Sequence, residues 1–202
     1  DVSKEDVGQQ TEKMLESYGM PDLVFLNAGI SQRAITREAS PELLKRLMDV
    51  NYFGVVNPFL VLLKKRDPEK LLQVVVTNSV AGKFGYWMRS GYAASKHALR
   101  GFFDTVALEE YGKNLVITQI FPGRINTPIN KNALYGSGSS SEGNFEGFSD
   151  AMATGQLVKK MLRAVKKEKA HVIIARLEWI PWTVYRISKR LFFSFFSKRP
   201  PE

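Results

Sequence analysis

The chain has 202 residues, 44% of them hydrophobic, no cysteine and a formal net charge of +9. That length builds one domain with a substantial core rather than two. The missing cysteines exclude disulfides and Cys-ligated zinc, and no uninterrupted apolar run reaches the ~18 residues of a membrane span.

A helical pattern over Lys4–Tyr18 follows Ser3 and Asp6, a capping signature, and Gly19 with Pro21 ends it. Leu23–Leu26 is a short continuous apolar run, as in a strand covered on both faces. Ser40-Pro41 opens a second helix, with Ser as cap and Pro in the first turn. Along it Leu44, Leu47, Met48, Asn51 and Val55 follow one stripe, interrupted by Gly54 and Pro58. Leu72–Thr77 and Leu115–Phe121 are further buried runs, separated by a helix over 91–111. Residues 136–149 are rich in Gly and Ser and read as a mobile loop. A helix follows with Leu157, Val158, Met161, Leu162 and Val165 on one stripe, then a short strand, His171–Ala175. Alternating strands and helices predict an α/β, Rossmann-type doubly wound parallel sheet, covered by helices on both faces. In such a sheet ligands bind at the carboxyl ends of the strands.

Three of those ends carry turns fit for ligands: Asn27-Ala28-Gly29, Thr77-Asn78-Ser79, and Pro122-Gly123-Arg124-Ile125-Asn126-Thr127. Between the last two lies Tyr92-Ala93-Ala94-Ser95-Lys96. Tyr92 and Lys96 are four apart, so one helical face presents both. A phenol titrates near ~10, and an adjacent ammonium favours its phenolate. Such a phenol can serve as general acid to a developing alkoxide, or as base in reverse. Ser79, at a strand end, can hold the substrate oxygen. Asn51, an amide on an apolar stripe, needs a partner: either it is a satisfied core residue or it serves the site. A serine hydrolase is excluded by the absence of a G-x-S-x-G turn.

Asn27-Ala28-Gly29, Asn51, Ser79, Tyr92 with Lys96, and Pro122-Gly123 through Thr127 resemble, in order and spacing, the classical short-chain dehydrogenases/reductases. The resemblance implies an NAD(P)-dependent oxidoreductase, NADP preferred over NAD, that interconverts a hydrophobic carbonyl and its alcohol. It implies Tyr92 as proton donor or acceptor and Lys96 on the nicotinamide ribose, lowering the Tyr92 pKa. Ser79 would orient the substrate oxygen, and Asn51 would hold a relay water. Ile125 and Thr127 would meet the nicotinamide carboxamide, while Asp1 and Val2 sit by the adenine. The strand ends at Asn27, Ala28, Gly29, Pro122 and Gly123 would complete the cofactor site. The helices at 41–65 and 91–111 would form the faces of a homo-oligomer. The family more often has Asn at Leu26 and Ser at Asn78. Its glycine-rich pyrophosphate turn is expected upstream of Asp1. A non-catalytic binding or scaffold protein of the same fold is the rival reading.

Ile30-Ser31-Gln32-Arg33, residues 95–103 and the aromatic tail are similar to the membrane-associated "dehydrogenase/reductase member seven" group of that family. That similarity implies an endoplasmic-reticulum membrane location, with a cytoplasmic one as alternative.

Residues 1–175 thus read as one nucleotide-binding portion and 176–202 as a basic tail. Residues 156–202 hold twelve Lys/Arg against three Asp/Glu, and residues 1–155 seventeen of each, so the whole excess sits in the C-terminal quarter. Ile180, Val184, Ile187, Leu191 and Phe195 form a helical stripe there, with Tyr185, Phe192 and Phe196 beside it. Arg186, Lys189, Arg190, Lys198 and Arg199 fall mainly away from it. Such a helix suits an anionic membrane interface, or packing on the domain; nucleic acid does not need so many large apolar groups. The loop from Pro128 to Asp150 is placed to cover the substrate, with Phe84, Tyr86, Trp87 and Met88 as an opposite apolar wall.

Overall fold

The computed structural model describes residues 1–4, 6–138 and 150–197; from residue 139 on, the expected 136–149 loop lies outside them. Four strands, β1 (Leu23–Leu26), β2 (Leu72–Thr77), β3 (Leu115–Pro122) and β4 (His171–Ile174), form one sheet in sequential order. All three pairings are parallel. Parallel neighbours need long crossovers, and helices supply them. Helices α2 (Pro41–Met48) and α3 (Gly54–Lys65) join β1 to β2; α4 (Ser90–Glu109) joins β2 to β3; α5 (Thr154–Lys166) joins β3 to β4.

Alternate side chains point to opposite faces of a strand, so each face has its own core. On one face Leu72, Val74, Val76 and Ile117 meet Val55, Phe59 and Leu62 of α3 and Leu99, Phe103 and Val106 of α4. On the other, Val75, Ile120 and Ile174 meet Met161, Ala164 and Val165 of α5. Val158 and Leu162, placed on the α5 stripe by periodicity, are exposed. Among the described residues β1 pairs on one side only, and its Phe25 is 44% exposed. The 25-residue helical run Pro41–Lys65 is long and apolar enough to cross a membrane, yet its Leu43, Leu47 and Phe59 are core residues.

Helix α1 (Val7–Tyr18) starts later than its sequence pattern. The reason is local: Ser3 spends its amide and hydroxyl on the Asp1 carboxylate, and the Asp6 carboxylate takes Gln10 Nε2. Asp6 stands at the N-cap position, but its side chain makes no cap hydrogen bond. Ser40 does cap α2, accepting Leu43 N–H at 3.1 Å.

The tail also departs from expectation. It is two short helices, α6 (Trp179–Ile187) and α7 (Lys189–Phe196), rather than one. Ser188 adopts an extended conformation and caps the second, its Oγ accepting Leu191 N–H. This break rotates α7 so that Phe192, 6% exposed, inserts between Phe84 and Tyr185. Lys198 and Arg199 lie outside the described residues.

Candidate active site

The three ligand-compatible turns converge at the carboxyl edge of the sheet, where a cavity of about 450 Å³ opens. Asn27, Gly29, Ser79, Tyr92, Lys96, Pro122, Gly123, Ile125 and Thr127 all line it. Asp1, Val2, Ala28 and Asn51 do not. Val2 packs instead on Gly54, where an added Cβ would lie 2.8 Å from Val2 Cγ2. Of the expected aromatic wall only Tyr86 faces the cavity; Phe84 is turned beneath the tail.

Asn51 sits in a single π-type turn, Asp49–Phe53, between α2 and α3. Gly54 N–H there reaches back five residues to Asp49 O, and the widened turn carries the Asn51 side chain inward. Its Oδ1 accepts Ile30 N–H at 2.8 Å; its Nδ2 donates to Ile30 O and Ser95 Oγ, each at 3.0 Å. Ser95 Oγ in turn donates to Tyr92 O at 2.8 Å. The loop after β1 is thereby tied to the first turns of α4.

A second tie was not legible in the sequence. Gln32, fully buried, turns Oε1 onto the N–H groups of Gly91 and Tyr92, at 2.7 and 3.2 Å. A helix's first amides have no partner of their own, so Gln32 caps α4 from 59 residues away and fixes Tyr92. An added Cβ at Gly91 would lie 2.6 Å from Leu44 Cδ2 and 2.9 Å from Leu47 Cδ1, so Gly lets the leucines of α2 pack closely on this turn.

Ser79 caps the short turn after β2, its Oγ accepting Ala81 N–H, and its side chain hydrogen-bonds that of Tyr92. Asn78 Oδ1 accepts Ser79 N–H at 2.9 Å while its Nδ2 donates to Gln119 Oε1. Lys96 Nζ donates to Thr77 O at 3.0 Å.

A short chain dehydrogenase family model matches residues 1–136. The chain belongs to that family. It is 33% identical over 198 residues to dehydrogenase/reductase SDR family member 7B of Xenopus laevis, covering 96% of this chain and 61% of that one. The Bos taurus protein of the same name is 35% identical over 163 residues, covering 81% and 50%. The chain therefore spans half to three-fifths of the length of these relatives. Among solved structures, a short-chain dehydrogenase from Streptomyces avermitilis superposes with TM-score 0.80 at 21% identity, covering 98% of this chain and 77% of that one. An alcohol dehydrogenase from the archaeon Thermococcus sibiricus, complexed with 5-hydroxy-NADP, gives 0.66 at 24%, covering 87% and 71%. These structures share the fold.

Within this cavity the electrostatics differ from the sequence expectation in one respect. Burial raises the Tyr92 pKa, and what opposes it is the Ser79 hydrogen bond and the Arg89 guanidinium, not Lys96. Lys96 points to the Thr77 carbonyl, with Nζ 6.0 Å from the Tyr92 ring centroid. Its own pKa is lowered by burial to about 8.

Two predictions follow from this geometry. Replacing Gln32 with Leu leaves two helix amides without their acceptor and should cost about 1–2 kcal/mol, read by chemical denaturation. Lys96 is protonated in both folded and unfolded chains below its folded pKa of about 8, so there the burial penalty is fully present. It is relieved as pH rises from there toward the unfolded value, ~10.4. Lys96→Met should therefore be more stable than the parent at pH 7, by roughly 1–3 kcal/mol, with the difference shrinking as pH rises through that window. A gap independent of pH would assign the effect to packing instead.

Proposed function

We propose that this chain carries the reaction centre of an NAD(P)-dependent oxidoreductase interconverting a carbonyl and an alcohol, with Tyr92 as acid/base. The observation that carries the reading is the meeting of Ser79, Tyr92 and Lys96 in one cavity at the carboxyl edge of a parallel sheet.

The residues fit a nucleotide cofactor, NADP by preference or NAD. Lys96 has one hydrogen-bond acceptor, Thr77 O, and an ammonium has three donors. Thr77 Oγ1 is buried without a partner. Gly29 leaves open the space that Asn51 Oδ1 and Lys96 Nζ border, 3.4 and 3.5 Å from where a Cβ would stand. In this proposal Lys96 binds the ribose hydroxyls, Asn27 to Gly29 and Pro122 to Thr127 flank the nicotinamide, and a relay water lies beside Asn51. When bound, the cofactor supplies or accepts the hydride.

The protein's own part is proton transfer and placement. Because burial holds Tyr92 protonated at neutral pH, its hydroxyl can donate to the substrate oxygen as negative charge develops there. Ser79 Oγ–H holds that oxygen in place, and in the alcohol-oxidising direction Tyr92 takes the proton back. Ile30, Val80, Ala81, Pro128, Ile129 and Leu157 give the cavity apolar walls, which suit a hydrophobic substrate body.

We propose further that the tail meets an anionic membrane, in keeping with an endoplasmic-reticulum location. Trp179, Ile187, Leu191, Phe193 and Phe195 remain exposed on α6 and α7, among Arg186, Lys189 and Arg190. Apolar side chains rimmed by cations insert at an anionic interface. Homo-oligomer formation through the outer faces of α2, α3 and α4 belongs to the same proposal; Phe53 and Leu108 stand exposed there.

In the full-length protein Tyr92→Phe, which keeps the ring and removes the proton, should lower turnover ~100-fold or more while NADPH binding is retained. Near-parental carbonyl reduction by that variant would end the assignment. For the tail, Phe193→Ser with Phe195→Ser should weaken binding to phosphatidylserine-containing vesicles at least ~10-fold. Phe192 must be left intact in that test, since it is part of the core.

A further inference from the structure

Arg89 immediately precedes α4, three residues before Tyr92, and its side chain lines the cavity. It is half-buried, and both of its hydrogen-bond partners are neutral. Nη1 donates to Ser31 Oγ, and Nη2 to Asn130 Oδ1 at 3.0 Å. A guanidinium has five N–H donors, and among the described residues no carboxylate forms an ion pair with this one. Two described carboxylates that meet Arg124 are committed there. Glu178 accepts the backbone N–H groups of Arg124 and Arg176, at 2.5 and 2.9 Å, and Asp150 pairs with Arg124 at 3.3 Å.

Arg66 shows how this fold treats an arginine whose role is structural. Its side chain is 6% exposed, and Glu110 meets it at 2.8 Å. Leaving a desolvated charge without a counter-charge is costly, and at Arg89 the described residues supply none. The same-sign neighbours Arg33 and Arg124 add to the burden, and with burial they push the Arg89 pKa down. The missing negative charge is one that a ligand can bring.

We infer that Arg89 is an anion-recognising group of the substrate cavity, and that the carbonyl compound taken here carries an anionic oxygen group, a carboxylate or a phosphate. This rests on the proposed oxidoreductase reading and narrows its substrate class. The guanidinium carbon lies 5.9 Å from the Tyr92 ring centroid, so an anion on Arg89 and a carbonyl at the Tyr92 hydroxyl can belong to one small molecule. The apolar walls take the rest of it. Arginine suits the task because its planar fork matches carboxylate and phosphate oxygens, and such charge-assisted bonds exceed neutral ones in strength.

The test uses full-length protein and a medium-chain γ-keto acid, its methyl ester, and the γ-keto alkyl phosphate of the same length. Dissociation constants are measured with oxidised NADP present, which prevents reduction, and kcat/KM separately with NADPH. The parent should bind at least one of the two anions ~10–100-fold more tightly than the ester. Whichever anion wins identifies the source of the charge. The preference should narrow as salt rises, fall to within ~3-fold in Arg89→Gln, and survive in part in Arg89→Lys. Equal binding of ester and both anions by the parent, which requires no variant to fold, would overturn the inference. So would a preference that persists undiminished in Arg89→Gln. Selective anion binding without reduction of any probe would sustain the Arg89 site and sink the oxidoreductase reading. Reduction of the ester as efficiently as of both anions would do the reverse.

Discussion

The site depends on how the first turn of α4 is held. Tyr92 must sit on that turn to reach the cavity, and a helix start buried inside a protein leaves backbone amides without partners. Gln32 resolves this from the loop after β1. The same loop is fixed at Ile30 by both ends of the Asn51 amide, which also holds Ser95. Two buried amides therefore set the distance between the end of β1 and Tyr92. Each is satisfied, which turns costly buried polar groups into specific joints.

Burial then sets the charge state. It acts on Tyr92 and Lys96 alike, in each case favouring the neutral form. For Tyr92 this keeps the proton in place at neutral pH. For Lys96, with a pKa of about 8, most of the charge survives there. With Arg89 and Arg124 on its walls, the cavity sets a protonated Tyr92 hydroxyl among guanidinium groups. In the proposed reaction such a field would favour the developing alkoxide over the neutral carbonyl.

The sheet was legible because parallel strands buried on both faces are continuous apolar runs, and Leu23–Leu26, Leu72–Thr77 and Leu115–Phe121 differ from the observed strands by at most one residue. The turns at their ends were legible for the same reason. What failed to show were features decided by distant partners or by competition for one group. Gln32 looks like any polar turn residue, since the amides it caps lie 59 and 60 residues away. The π-type turn that aims Asn51 inward has no local signature beyond Gly54 and Pro58. The tail kept its helical period across Ser188, so the stripe read through a residue that in fact ends one helix and caps the next. The expected influence of Lys96 on Tyr92 rested on spacing and on the family resemblance; the Thr77 carbonyl, at the end of β2, takes the ammonium instead.

The tail and the cavity are physically joined. Glu178, at the start of α6, lies against Gly123, where an added Cβ would stand 2.6 Å from its carboxylate, and it holds the Arg124 N–H. Further along, Phe192 packs with Phe84 and Val80, and Val80 directly follows Ser79. One end of the tail therefore braces the turn after β3 and the other braces the turn after β2. Lifting α7 from the body would expose Phe84 and loosen the turn that carries Ser79. Apolar burial of this size contributes roughly 1.5–3 kcal/mol per large side chain. A membrane that receives Phe193 and Phe195 need not displace Phe192, because those two are 57% and 65% exposed while Phe192 is packed on the body. The division of labour follows from the break at Ser188, which seats Phe192 in the fold and leaves Leu191, Phe193 and Phe195 to the surroundings.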